Sequence, residues 1–179
     1  MRTRRELLAV LAGAGLSASC GYALAGRGSF LPAYIRNVGI PMFGNKTPYF
    51  TVEQAFTEKV RVEFQSRGPY TIVPNDTGVD GVVRGDILAI TLTPVGFTEQ
   101  QQASRYQFTV AVSVRFDDVT TSRTLWDNPG LTFSDEYELA SSASAGLDAA
   151  SFLDQERSAI DRLSTDLARS VVSAILEAF

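Results

Sequence analysis

The sequence predicts an α+β fold, a two-layer sandwich with two helices packed on one face of a mostly antiparallel sheet of four to five strands. Three observations carry that expectation. Residues 105–117 alternate between apolar and polar side chains. Two segments, 51–67 and 151–177, bear apolar residues every three or four positions. The rest divides into short β-rich runs separated by Gly-, Pro- and Asp-containing turns.

The elements follow in chain order. Ile35, Val38, Ile40 and Phe43 mark a short strand-like run, and Gly44–Pro48 breaks it. Thr51 is a helix-capping residue with Gln54 three places on, the spacing of a reciprocal capping box. Val52, Phe56, Val60 and Phe64 then form one apolar stripe, and Gly68-Pro69 supplies a permissive cap and a stop. Tyr70–Val73 reads as a short strand and Pro74–Gly81 as a turn. Val82–Phe97 reads as a longer strand in which Gly85 and Pro94 suggest a bulge or an edge.

The clearest periodicity comes next. Tyr106, Phe108, Val110, Val112, Val114 and Phe116 share one parity, while Arg105, Gln107, Thr109, Ala111, Ser113, Arg115 and Asp117 share the other. Period-two alternation puts these sets on opposite sheet faces, one dry and one wet. The polar stretch 99–104 makes a hairpin of this strand and its predecessor. Thr124-Leu125-Trp126 opens a further strand, broken at Asp127–Gly130 and resumed at Leu131. After a small-residue connection, Ile160, Leu163, Leu167, Val171, Ala174 and Ile175 trace the core stripe of a closing helix.

Composition narrows the function. The 179 residues contain 16 Lys+Arg, 20 Asp+Glu, one Cys and no His. An acidic balance argues against nucleic-acid binding. Without histidine there is no Ser-His-Asp or Cys-His machinery, no HExxH motif and no His-ligated metal. One cysteine makes neither an internal disulfide nor a structural zinc site.

The N-terminus, Met-Arg-Thr-Arg-Arg-Glu followed by the apolar run Leu7–Leu16 and then Ser17-Ala18-Ser19, has the layout of a secretory signal peptide. That apolar run is about half of the ~20 residues needed to span a bilayer. Cys20 follows directly, in a setting that resembles a bacterial lipobox, with Ser17 where such boxes usually carry Leu. The expected organisation is a signal peptide at 1–19, a lipidated arm at 20–34 and a single α+β domain at 35–179. Removing residues 1–19 takes away three Arg and one Glu, which leaves 13 basic and 19 acidic residues, net −6.

No motif makes a convincing enzyme. Asp76-Thr77-Gly78 matches the aspartic-protease tripeptide, but Pro74-Asn75 precede it where an apolar strand is required. Asp76, Asp80 and Asp86 lack the spacing of an EF-hand. Asp117-Asp118 and Asp135, Glu136 and Glu138 fall at strand ends or on the wet parity, ordinary places for surface acids. The expectation is no catalytic residue, no metal and no cofactor. The polar stripe Arg105, Gln107, Thr109, Arg115 is the candidate docking surface, because arginine can clasp phosphate or carboxylate with a bidentate fork.

An ordered set of short features resembles the LPS-assembly lipoprotein LptE family. It comprises Cys20-Gly21-Tyr22-Ala23-Leu24 after a signal peptide, Ile35–Phe43 feeding a helix, and the strand with Gly85. The Arg105-Tyr106-Gln107 strand onset, Trp126-Asp127-Asn128-Pro129 and the closing amphipathic helix complete it. The resemblance implies an outer-membrane lipoprotein, acylated at Cys20, on the periplasmic side or inside the lumen of the LptD β-barrel. It implies that the pair inserts lipopolysaccharide into the outer leaflet, with no enzymatic activity and no cofactor. The hairpin tip, Thr98–Gln102, has no basic residue, so no phosphate-binding role carries over there. Another envelope lipoprotein adaptor, a peptidoglycan-synthase activator or a secretion-pore subunit, suits the same architecture.

Overall fold

The computed structural model describes residues 31–97, 103–138 and 149–178. The expected signal peptide, Cys20 and the hairpin tip expected at 98–102 lie outside the described residues. Among the described residues, six strands and two helices follow the order β1 (Asn37–Gly39), β2 (Gly44–Asn45), α1 (Val52–Arg67), β3 (Thr71–Val73), β4 (Gly81–Phe97), β5 (Ala103–Asp118), β6 (Arg123–Glu138) and α2 (Ala149–Leu176). The sheet order is β3-β1-β4-β5-β6, with β2 also paired to β4.

The two-layer α+β architecture is as expected, but the sheet is larger and mixed. β4, β5 and β6 form an antiparallel meander. β1 runs parallel to both β3 and β4, and β2 runs parallel to β4. Parallel neighbours need a crossover, and α1 supplies it between β1 and β3. β1 and β3 lie in the runs read as short strands and β2 is additional; at two or three residues each, they are too short for the sequence to show their parallel pairing.

The core lies between the helices and the even-numbered face of β5. Phe108, Val110, Val112, Val114 and Phe116 are buried against Val52, Phe56, Val60 and Phe64 of α1 and Leu163, Leu167, Val171 and Ile175 of α2. Burying each such side chain contributes about 1.5–3 kcal/mol. Phe64 sits between Phe116 and Tyr70, with ring centroids at 6.5 and 6.3 Å, and Tyr49 meets Phe108 edge-on at 6.0 Å. Leu31 and Ile35 are also buried, so the chain joins the core from the first described residue.

Polar contacts fix how α1 lies on the sheet. The Arg61 guanidinium donates to the Ile40 carbonyl through Nε (3.0 Å) and Nη2 (2.7 Å). The buried Thr57 hydroxyl accepts the Phe43 N–H at 3.0 Å and donates to the Glu53 carbonyl. Both ends of α1 depart from expectation. Thr51 is left-handed (φ 69°) and makes no side-chain cap; its hydroxyl donates to the Phe50 carbonyl instead. Gly68 is extended (φ −177°), a conformation open to any residue. A Cβ there would meet the Tyr70 ring at 2.6 Å, so close packing is what requires glycine.

β6 also differs from expectation: it runs unbroken through Asp127–Gly130. Val112 pairs with Leu131 and Val114 with Asn128, which places Pro129-Gly130 in a bulge opposite Ser113. A proline in a bulge on an edge strand forfeits no ladder bond.

Candidate functional site

The sheet face turned away from the helices is the candidate site. Cross-strand register builds it row by row. Arg84, Arg115 and Asp127 lie side by side at one end. Next along come Asp86–Ser113, then Ala89–Ala111–Thr132, Thr91–Thr109–Ser134 and Thr93–Gln107–Glu136, and Arg105 stands opposite Gly96 at the far end. The middle of the face is therefore small, hydroxyl-rich and uncharged, and ion pairs mark both ends.

The structure brings Arg105, Gln107, Thr109 and Arg115 onto this one face. It also separates the two arginines by ten residues of strand, about 33 Å at 3.3 Å per residue. Neither is a free cation. Arg105 Nη1 lies 3.5 Å from Glu136 Oε2, and Arg115 Nε donates to Asp117 Oδ2 at 3.0 Å. Gln107 and Thr109 are half-buried between their strand neighbours. The four residues thus make a polar docking strip rather than a single anion clasp.

Charge at the Arg84 end is neutralised internally. Arg84 and Arg115 stand directly opposite each other, an arrangement that repels unless an acid intervenes. Asp117 Oδ2 takes a bond from each, at 3.1 Å from Arg84 and 3.0 Å from Arg115, and Oδ1 accepts from the Thr124 hydroxyl. Arg84 reaches Asp76 as well, at 3.3 Å. Beside this cluster runs an open groove of about 450 Å³, floored by Gly85 and Ser113 and walled by Pro41, Met42, Asp86, Asp127 and Pro129. Arg84 was not among the sequence candidates. Its partnership with Asp117 and Arg115 depends on strand register, which local sequence does not disclose.

The 74–80 turn closes over this end of the sheet, burying Val79 and Val82 apart from the main core. Two acids hold it. Asp80 accepts the N–H groups of Asn37 (2.8 Å) and Arg36 (2.9 Å), and these bonds hold its carboxyl below the usual carboxylate range. Asp118 is buried, which by itself raises its pKa. Bonds from the Thr121 hydroxyl, the Tyr34 hydroxyl and the Thr121 and Thr120 N–H groups outweigh that and lower it. The Tyr34 hydroxyl, donating to this carboxylate at 2.5 Å, is pushed up.

Several of the acids weighed as catalysts are engaged in structural bonds. Asp76 lies in an exposed turn and pairs with Arg84, Asp117 is shared by two arginines, and Asp135 takes Arg162 Nε at 2.7 Å. Among the described residues no three His, Cys, Asp or Glu side chains cluster as a metal site. No described helix is long and apolar enough to cross a membrane. The arrangement is suited to docking.

Comparison with known proteins bears on what docks. No curated protein matches the chain. An uncharacterised lipoprotein B from Nitrosomonas europaea is similar at 13% identity and TM-score 0.55, with 88% of this chain and 94% of that one covered. A hypothetical protein from Chlamydia trachomatis is similar at 15% identity and TM-score 0.53, with 80% and 97% covered. These likenesses establish a shared fold. A family model described as "LptE: Lipopolysaccharide-assembly" matches residues 35–175, from the residue before Arg36 in the Asp80 clamp to the last turn of α2. The chain belongs to the LptE lipopolysaccharide-assembly family.

Proposed function

We propose that this chain is an outer-membrane lipoprotein that plugs and helps assemble an LptD-type β-barrel, aiding insertion of lipopolysaccharide into the outer leaflet. The family match across the whole folded domain carries the reading. The family is non-enzymatic, in keeping with acids tied up in ion pairs and turns. In this reading Cys20 holds the lipid anchor. Each buried CH₂ of an acyl chain contributes about 0.8 kcal/mol, and more than one chain makes anchoring firm.

The wet sheet face, with Gln107 and Thr109 at its centre and Arg105 and Arg115 at its ends, is the surface offered to the barrel or to lipopolysaccharide. Its arginines are already paired, and the processed chain carries net −6. That balance favours a scaffold and plug over a carrier of a polyanionic glycolipid. The test is purification of the full chain from outer membranes in mild detergent, with mass spectrometry of its N-terminus. The reading predicts a diacylglyceryl-modified Cys20 and co-recovery of a barrel protein several times its mass. A bare thiol on a freely soluble monomer overturns it.

A further inference from the structure

The two sides of β4 are not equally used. Along its whole length one edge pairs with β5. On the other edge, β1 pairs at Gly81-Val82 and β2 at Asp86-Ile87. The last bond on that side is Lys46 N–H to the Ile87 carbonyl, at 2.9 Å. From Leu88 to Phe97 no strand among the described residues pairs with it.

Register shows which backbone groups are left over. Ile87, Ile90, Leu92 and Pro94 pair with Val112, Val110, Phe108 and Tyr106, all of one parity on β5. Ile87 turns its carbonyl to β2, so Ile90 and Leu92 turn their N–H and C=O to the same side, where no strand among the described residues pairs with them. Pro94 fits this orientation, having no N–H to give to β5, and it ends the usable edge. What remains is about six residues, bounded by Lys46 and Pro94.

Edges are ordinarily guarded by charge. Leu88–Phe97 contains no ionisable side chain, and Leu88, Val95 and Phe97 are exposed by 37%, 42% and 64%. We propose that Leu88–Thr93 of β4 accepts a short, uncharged extended segment of the barrel partner as an added strand. The inference rests on the barrel reading above.

The chemistry of the segment follows from its two neighbours in the sheet. On the helix side it would lie beside the half-buried Ile90, Leu92 and Tyr49, and on the other side beside the exposed Thr91 and Thr93. An alternation of apolar and small polar residues satisfies both, and an extended loop of the barrel partner, unlike its strands, which are already paired on both edges, is free to supply it. A charge placed here would lose water without gaining a partner. A second copy fits poorly. Antiparallel self-pairing centred on Thr91 would bring Val95-Gly96 of one copy onto the position β2 holds beside Asp86-Ile87 in the other.

The experiment uses the full chain recovered from outer membranes in mild detergent, with a photo-cross-linking residue at Leu88 or, as control, at exposed Ser170 of α2. Leu92→Ala removes the side chain and keeps the edge N–H; Leu92→Pro removes both, and Leu88→Lys charges the edge without touching the ladder. The expected result is a cross-link from position 88 to the barrel and recovery that survives Leu92→Ala. Leu92→Pro, through the lost edge N–H, and Leu88→Lys, through a charge that loses water without a partner, should each cut recovery about tenfold, with melting of Leu88→Lys unchanged. Undiminished recovery with Leu88→Lys, or cross-links only from Ser170, overturns the edge inference and leaves the barrel reading standing. A cross-link from 88 to a second copy overturns the choice of occupant. Failure to recover any barrel with the unaltered chain overturns both.

Discussion

Asp118 ties together the base of the molecule, and its chemistry sets a pH dependence. It receives four bonds, from Tyr34, from both the hydroxyl and N–H of Thr121, and from Thr120 N–H, while being almost wholly buried. Bonds to a charged acceptor contribute about 1.5–3 kcal/mol each, so Asp118→Ala should be among the more damaging substitutions, orphaning donors on two segments. Asp80 and Asp118 both titrate below their unfolded value of about 3.9. Their contribution is complete above that value and is lost as pH falls through the lower folded pKa. Tyr34, raised by its bond to Asp118, adds stability below its unfolded pKa of about 10 and loses it as pH rises through the folded one. Thermal melting against pH should show an acid limb that is shallower in Asp80→Asn and Asp118→Asn, and an alkaline limb that is shallower in Tyr34→Phe. Limbs identical to the parent's would contradict this assignment.

At the scale of elements, the long periodic ones and the short strands β1 and β3 were legible, whereas β2 and the pairing of the short strands were not. The alternation along β5 named its buried residues, and the stripe Val52, Phe56, Val60, Phe64 named the buried face of α1. Burial enforces a period only over several turns or pleats, so three-residue β1 and β3 and two-residue β2 left no trace of their parallel pairing. Thr51 misled because a capping residue type does not ensure capping geometry, and Pro129 misled because a bulge opposite Ser113 absorbs it. Of the candidate site, the shared face of Arg105, Gln107, Thr109 and Arg115 was readable from parity. The pairing of the arginines with Glu136 and Asp117 was not, since it depends on register and on side chains reaching along the strand.

Two substitutions test the packing. Phe56→Ala should lower stability by about 3–5 kcal/mol through transfer and cavity effects, read by denaturant melting. Gly85→Ala should lower it by about 1–3 kcal/mol, because the added Cβ would fall 2.5 Å from the Phe43 ring. If Gly85→Ala melted with the parent, the close packing of Phe43 on β4 would not be limiting.

Across the whole molecule, the division of labour follows from the layers. One sheet face is consumed by the helices; the other offers a hydroxyl-rich centre between paired charges, closed at its base by the turn that Asp80 holds. A family built for lipopolysaccharide assembly, an acidic chain and a face whose Arg84, Arg105 and Arg115 are all paired favour a protein that docks against another protein. The most direct measurement is the amount of barrel protein recovered with two full-length variants, one carrying Thr109→Arg and Ala111→Arg in the centre of that face, the other Ser170→Arg on the exposed side of α2. The account predicts that the first loses the barrel while melting like the parent, and that the second retains it. Equal recovery from both would contradict the assignment of this face to the barrel.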